Sequence, residues 1–243
     1  MLSKLRFRPT LWPTLFSIPA FLVMVGLCLW QVQRMYWKEA LIAERAARVS
    51  AEPLALPVPG ADLTDIEYRR VRVEGTYHHD KELYLGARSM KGNAGYHVVT
   101  PMTLADGTTV LVDRGWVPVE RKAPEQRPEG QLAGPQTVDG VIRLPHGQAW
   151  MQPDNEPQHN MYFFVDPAGM AAALGMAVRP DLYIDAGPAP NPGLYPVGGQ
   201  THIELPNDHL QYAITWGLLA LILAVIYVAY HLKLERERRE PEQ

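Results

Sequence analysis

The apolar positions of this sequence are concentrated in two long runs, one near each end. The first, residues 11–30, is interrupted by only a few small or polar residues and prolines. The second begins after Asn207 and stays apolar as far as Tyr230. Each run approaches the roughly 20 residues that a helix needs to cross a bilayer. The pattern therefore predicts two transmembrane helices, at residues 10–31 and 208–232.

A cleaved signal peptide is the main alternative for the first run. Its apolar core would be shorter, and a small-residue cleavage site would follow it. Here Gln31-Val32-Gln33-Arg34 follows instead. We therefore interpret the run as an uncleaved membrane helix. A mitochondrial transit peptide has no room before Leu11, so we expect a bacterial protein.

The distribution of positive charge predicts the orientation in the membrane. The sequence has no Lys or Arg between Asp181 and Leu232, whereas four follow directly after the second run: Lys233, Arg236, Arg238 and Arg239. Cytoplasmic flanks of membrane helices carry an excess of Lys and Arg. We therefore expect a multi-pass protein of the bacterial inner membrane. Its two ends, residues 1–9 and 233–243, would be cytoplasmic, and the region between the helices would be periplasmic.

The region between the two apolar runs has the pattern of a β-rich domain. After a helical extension over residues 32–50, three prolines between residues 52 and 60 indicate a linker. Within the predicted domain, residues 51–207, alternation and turn signals predict strands at Arg70–Tyr77, Glu82–Ala87, Tyr96–Leu104, Thr109–Val119, Gln136–Leu144, Met161–Val165 and Leu182–Asp185. One short helix is predicted over residues 166–176, with Asp166 as its cap. Residues 120–135 show no pattern and are predicted to be a mobile loop. The expected fold class is an α+β membrane protein with a mainly antiparallel β domain.

Composition and charge exclude several functions. The net charge of −3 over 243 residues, without a basic stripe, argues against nucleic acid as a partner. Cys28 is the only cysteine, which excludes a disulfide framework or a dithiol redox motif. The segment His78-His79-Asp80 is the densest set of metal-ligating side chains, but its place at a strand end favours surface-turn residues over a metal site. We find no catalytic motif and predict that the protein is not an enzyme.

The start of the second helix carries the main candidate for chemistry. On the helical period His209 shares a face with Tyr212 and Trp216, at the depth of the membrane interface. A neutral imidazole there is suited to bind haem iron. Equally, a polar residue at a helix end can simply face headgroups and water, and Asn207 or Asp208 can cap the helix. The histidine alone does not decide between these interpretations.

Several motifs together resemble the surfeit-locus protein 1 family. They are Trp30-Gln31-Val32-Gln33-Arg34-Met35-Tyr36-Trp37-Lys38, Tyr68-Arg69-Arg70-Val71 with Gly75-Thr76-Tyr77, Thr100-Pro101 followed by Val112-Asp113-Arg114-Gly115-Trp116-Val117-Pro118, and Asn207-Asp208-His209-Leu210-Gln211-Tyr212-Ala213-Ile214-Thr215-Trp216. Their order and spacing cover nearly the whole chain. The sequence departs from the family where Cys28 replaces a common glycine, Asp208 a common asparagine and Gly217 a common aromatic residue. The change at Cys28 bears on how closely the two helices can approach there.

The resemblance implies a membrane-bound factor in respiratory chain biogenesis that assists assembly of haem–copper cytochrome c oxidase. It further implies transient binding of haem a through His209, delivery to oxidase subunit I, and contact with haem A synthase. The alternative is a haem-independent scaffold that holds assembly intermediates through protein contacts only. A haem-modifying enzyme would need more intramembrane histidines than His209 and the distant His231.

The remaining candidate residues have both a functional and a structural interpretation. Trp30, Tyr212 and Trp216 could flank the haem ring. Arg34 and Lys38 could pair with the haem propionates, or only anchor the helix in the headgroup region by snorkelling. The segment Arg114-Gly115-Trp116 could form a partner-contact loop, or Gly115 could allow a β-bulge while Trp116 fills the core.

Overall fold

The computed structural model describes residues 8–203 and 205–239. It divides into two compact units. The helical unit consists of the described residues up to Glu44 together with those after residue 204. The β unit is Arg45–Ile203.

Two long helices account for the helical unit. Helix α1 is Leu11–Ser50, and its last residues, from Arg45, belong to the β unit. The C-terminal helix, His209–Arg239, is numbered α3 because a short helix of the β unit precedes it. Both are long and apolar enough to cross a membrane, and most of their large apolar side chains are exposed. The predicted pair of membrane helices and the predicted helical extension are therefore present as two continuous helices.

The β unit is built on a seven-stranded sheet with one short helix, as the fold class predicted. The elements are β1 (Arg70–Tyr77), β2 (Leu83–Met90), β3 (Asn93–Leu104), β4 (Thr109–Pro118), β5 (Pro135–Arg143), β6 (Met161–Tyr162), α2 (Pro167–Leu174) and β7 (Tyr183–Ala186). The strand order is β1-β5-β7-β4-β3-β2-β6. Only β4–β7 and β2–β6 pair in parallel.

An additional pairing between β1 and β3 closes five of the strands into a ring. Closure leaves these strands without a free edge. The ring encloses the main apolar core, whose buried members are Val71, Val73, Met102, Val110, Val112, Val138, Ile142, Leu182 and Ile184. On the opposite face of the sheet, Leu85 and Leu111 pack with Met170 of α2. The alternation of burial along β1 is the pattern expected for a strand with one face in a core.

Two local predictions need correction. The strand expected at Met161–Val165 is limited to Met161–Tyr162. Asp166 precedes α2, but its carboxylate makes no capping hydrogen bond. It lies against Gly169 instead, where an added Cβ would be 2.4 Å from Oδ2. The helix begins with Pro167, whose missing N–H removes one of the donors that a cap would satisfy.

The predicted mobile loop, residues 120–135, is structured. It contains three short 3₁₀ turns, at Val119–Arg121, Pro124–Gln126 and Pro128–Gly130. The side chain of Arg127 is only 1% exposed and ion-pairs with Glu82 at the start of β2. The sequence pattern missed this order because it comes from long-range contacts, the Arg127–Glu82 ion pair among them, rather than from a local periodicity.

Candidate haem site

The candidate ligand His209 is hydrogen-bonded to α1. It is the first residue of α3, and its Nδ1 lies 2.6 Å from Oε1 of Gln31. An amide oxygen can only accept a hydrogen bond, so Nδ1 must carry the proton. Nε2 then presents a lone pair, and it has no hydrogen-bond partner among the described residues. This is the tautomer in which a histidine binds a metal through Nε2.

Gln31 is a residue of the candidate site that the sequence pattern did not single out. It follows Trp30 directly, and it is the only buried residue of α1. In the sequence Gln31 belongs to the motif Trp30–Lys38 and argues against a signal peptide, but no role follows from either. A polar amide side chain at the end of a long apolar run needs a hydrogen-bond partner, and this was the one indication that Gln31 contacts another residue. Nothing in the sequence shows that this partner is the ring of His209, 178 positions away.

One of the three predicted aromatic residues contacts His209. The ring of Trp30 meets the imidazole edge-on, with 6.4 Å between centroids and an interplanar angle of 85°. Tyr212 is exposed and Trp216 is half-buried, and neither ring contacts His209 within the described part of the chain. The structure therefore joins Trp30, Gln31 and His209, and leaves Tyr212 and Trp216 further along α3.

The two predicted cations differ in their surroundings. The guanidinium of Arg34 lies 4.2 Å from the ring centroid of Trp37. Its Nε is buried without a hydrogen-bond partner, and no carboxylate pairs with Arg34 among residues 8–203 and 205–239. Lys38 instead donates through Nζ to the carbonyl oxygen of Pro206 at 2.6 Å. Arg34 thus has a charge that no acidic side chain of the described chain compensates.

Asn207 links the start of α3 to α1 instead of capping its own helix. Its amide nitrogen donates to the carbonyl oxygen of Met35 at 3.4 Å, and its Oδ1 is buried without a partner. Together with the Lys38–Pro206 and His209–Gln31 hydrogen bonds, this contact joins the chain around the beginning of α3 to residues 31–38 of α1.

Further along the two helices, small residues allow a close approach at Cys28. A Cβ added to Gly217 would lie 3.6 Å from Cys28 Sγ, which is ordinary van der Waals contact. Next to this contact is an apolar groove of about 270 Å³ lined by Phe21, Val25, Cys28, Leu29, Gly217, Ala220 and Leu221. The helices therefore approach closely although a cysteine replaces the glycine common in the family that the motifs resemble.

Comparison with known proteins establishes the family. The family model described as the SURF1 family matches residues 18–221, which include both halves of the candidate site. The chain belongs to the SURF1 family. It is 40% identical over 222 residues to Surfeit locus protein 1 of Mus musculus, covering 85% of this chain and 71% of that protein. It is also 40% identical over 212 residues to Surfeit locus protein 1 of Homo sapiens, covering 80% of this chain and 70% of the human protein.

A third relative matches over a similar span. The SURF1-like protein of Monosiga brevicollis is 38% identical over 225 residues, covering 88% of this chain and 85% of the relative. The membership that the motifs predicted is thereby confirmed.

The second membrane histidine of this SURF1-family protein has a different environment. His231 is buried, and its Nε2 lies 3.0 Å from the backbone nitrogen of Thr10. Its Nδ1 lies 2.8 Å from the carbonyl oxygen of Tyr227. Since a carbonyl only accepts, Nδ1 donates and Nε2 accepts the Thr10 N–H. Both ring nitrogens are therefore engaged, and His231 is not arranged as a metal ligand.

The segment Arg114-Gly115-Trp116 lies inside the β unit and presents almost no surface to a partner. Arg114 and Trp116 are 2% and 3% exposed. Gly115 lies in a bulge between β3 and β4, with φ +113°, and a Cβ there would be 2.0 Å from the Val197 carbonyl oxygen. The suggested partner-contact loop is therefore replaced by the alternative interpretation, a glycine bulge beside a core tryptophan.

Arg114 instead belongs to a buried polar cluster. It donates to Oε1 of Glu82 at 3.3 Å and lies over the ring of Tyr77 at 4.8 Å from the centroid. Burial lowers the pKa of Arg114 and raises the pKa of Tyr77 to about 12. The cluster stabilises the interior of the β unit and leaves no free carboxylate for a metal.

The histidines after β1 are also part of internal contacts. His78 Nε2 lies 2.8 Å from Thr103 Oγ1, and His79 Nε2 lies 3.0 Å from the Leu132 carbonyl oxygen. In the described part of the chain, no group of three or more His, Cys, Asp and Glu side chains is arranged to hold a metal ion.

Proposed function

We propose that this SURF1-family protein is an assembly factor for haem–copper cytochrome c oxidase, and that it holds haem a through Nε2 of His209 on the way to subunit I. The observation that supports this most directly is the 2.6 Å hydrogen bond from His209 to Gln31. Metal-ligating histidines characteristically donate their second ring N–H to an oxygen acceptor, which sets the tautomer and strengthens the ligand. Gln31 would have that role here.

The surroundings of His209 suit a haem better than a bare metal ion. Trp30 offers an apolar surface beside the imidazole, and four residues further along α1 lies Arg34, whose charge no acidic side chain of the described chain compensates. Haem is a flat apolar group with anionic propionates, so it matches an aromatic residue and an unpaired guanidinium. Bound haem a would supply an iron centre that takes axial ligands. His209 would coordinate it, Trp30 would cover the ring, and Arg34 would pair with a propionate.

Tyr212, Trp216 and Lys38 have secondary places in this proposal. Tyr212 and Trp216 would extend the apolar surface along α3, and the groove beside Cys28 could accept an apolar tail. Lys38 would hold the chain around Pro206 against α1 through its hydrogen bond to the Pro206 carbonyl oxygen. The propionate would then pair with Arg34 and not with Lys38.

The proposed location follows from the membrane helices and the flanking charges. Residues 10–31 and 208–232 would cross the bacterial inner membrane, with both chain ends in the cytoplasm and the β unit in the periplasm. His209 would then lie at the outer interface. The proposed partners are oxidase subunit I as recipient and haem A synthase as donor, both membrane proteins, and the lipid bilayer itself.

The test is the absorption spectrum of the detergent-purified full chain, produced in cells that also make haem a. We expect a ligated-haem spectrum from the wild type and its loss in His209→Ala at equal protein yield. The matched control is His159→Ala, because His159 is an exposed histidine of the β unit. Haem in wild type and His209→Ala alike would contradict ligation by His209. Absence of haem from the wild type, with oxidase subunit I still co-purifying, would instead support the haem-independent scaffold.

A further inference from the structure

The β unit contains an open polar cleft of about 450 Å³ that is independent of the haem site. Strands β2, β3, β4, β5 and β7 all contribute to it, as do the loops at residues 145–152 and 163–165 and the segment 200–202. This volume is typical of cavities that hold small organic ligands. None of the functional residues proposed above lines it.

Two β-bulges lie at the cleft, one on each side of β3. The register between β2 and β3 shifts between Leu85 and Arg88, and the register between β3 and β4 shifts between His97 and Val99. Bulges change the direction of side chains and are frequent beside binding sites. Here the residues at the shifts include Arg88 and His97, whose side chains line the cleft.

The acidic residues of the cleft are already paired with bases. Asp113 accepts a hydrogen bond from His97 Nδ1 at 2.8 Å. Asp185 accepts from Arg143 at 3.0 Å and from Thr201 at 3.0 Å. Burial and the neighbouring charge of Asp113 raise the pKa of Asp185 to about 6. These carboxylates therefore do not make the cleft a cation site.

One cation of the cleft has no partner. Arg88 is half-buried, and neither a carboxylate nor a hydrogen-bond acceptor of the described chain contacts its guanidinium. His202, also on the lining, likewise has no hydrogen-bond partner among the residues described. With Asp185 paired to Arg143 and Asp113 hydrogen-bonded to His97, Arg88 is the charged group of the described lining that remains without a partner. An anionic group is therefore the complementary ligand.

The rest of the lining includes apolar surface. Phe163 and Phe164 are half-buried and face the cleft beside Leu85 and Val165. Binding sites for small molecules combine such surfaces with a few charged groups that fix orientation. We propose that this cleft binds a small organic anion with an apolar or aromatic body, whose carboxylate or phosphate group pairs with Arg88.

The test is a ligand-detected NMR titration of the full chain in detergent with phenylacetate and, separately, phenyl phosphate. We expect at least one probe to bind saturably, and the tighter one identifies the preferred anionic group. Arg88→Gln should weaken binding at least tenfold. Arg70→Gln is the matched control, because it removes the same positive charge from β1, outside the cleft. Like Arg88, Arg70 has no ion-pair partner in the described chain.

Two results would overturn the proposal. One is the absence of saturable binding of either probe to the folded wild type. The other is equal binding by Arg88→Gln and Arg70→Gln. Both variants should keep the thermal unfolding midpoint of the wild type, since neither arginine holds a structural ion pair, so loss of binding will not reflect loss of fold. The haem spectrum should be unchanged in Arg88→Gln, which separates this site from the one at His209.

Discussion

Arg127 clamps the carboxylate of Glu82 with both ends of its guanidinium in the interior of the β unit. Its Nη1 donates to Oε1 at 3.0 Å, and its Nη2 donates to Oε2. The two side chains are 1% and 2% exposed. Arg114 donates to the same carboxylate at 3.3 Å. This cluster attaches the segment of 3₁₀ turns to the start of β2, and it makes Glu82 the most heavily engaged acid of the domain.

Removing one partner of this cluster should cost more stability than removing a surface ion pair. Arg127→Ala leaves Glu82 buried without its main partner, and we expect about 3–5 kcal/mol of destabilisation. Urea unfolding followed by circular dichroism would measure it. The control is Arg72→Ala, which breaks the exposed Arg72–Asp139 pair and should cost about 0–1 kcal/mol. Equal costs for the two variants would contradict the buried role of Arg127.

Glu82 should also make the β unit sensitive to acid. Burial alone would raise its pKa, but the neighbouring His79, the hydrogen bonds and charge of Arg127 and the charge of Arg114 outweigh it and lower the pKa to about 2 from 4.5. A lowered folded-state pKa means that its contribution is present above pH 4.5 and is lost as the pH falls towards 2. The loss should be on the order of 3 kcal/mol.

The measurement is the free energy of unfolding at a series of pH values for the wild type and Glu82→Gln. The difference between the two proteins should shrink as the pH falls through that window. A difference that stays constant with pH would show that the carboxylate charge is not what stabilises the cluster.

Gly115 should not tolerate a side chain. Alanine there needs a positive φ, which costs about 1–2 kcal/mol, and its Cβ would also collide with the Val197 backbone. Overpacking of this kind adds about 1–3 kcal/mol. The control is Gly92→Ala, because Gly92 has φ +83° but open space around it. Thermal unfolding should therefore show a larger loss for Gly115→Ala than for Gly92→Ala, and equal losses would exclude the steric contact.

Gln31 should determine how well His209 binds haem. Gln31→Leu removes the acceptor for Nδ1–H, and we expect haem affinity to fall about 10–100-fold. Gln31→Glu keeps an oxygen in place and should retain the haem spectrum. Haem titration of the purified apo-proteins would measure both. If leucine and glutamate behave alike, the hydrogen bond at 2.6 Å has no role in ligation.

Much of the fold followed from local pattern. Strand β1 occupies the predicted residues because Val71 and Val73 alternate with charged neighbours along a half-buried strand. The turn between β3 and β4 and the two long apolar helices also came from local signals, since turn residues and the length of an apolar run are read directly from the chain. The prediction of strands from apolar runs failed most clearly at Met161–Val165, where only Met161 and Tyr162 form a strand.

By itself, the sequence therefore determined the main helices and strands. It also placed a polar residue, His209, at the start of a membrane-length helix. What only the tertiary structure decided is which side chains share an environment. The partners Gln31–His209 and Glu82–Arg127 are 178 and 45 residues apart. The buried Arg114 likewise contacts Glu82, 32 residues away. Hydrogen bonds and ion pairs at such separations have no periodic signature in the chain. They arise only when packing brings the elements together and the buried polar groups must find partners.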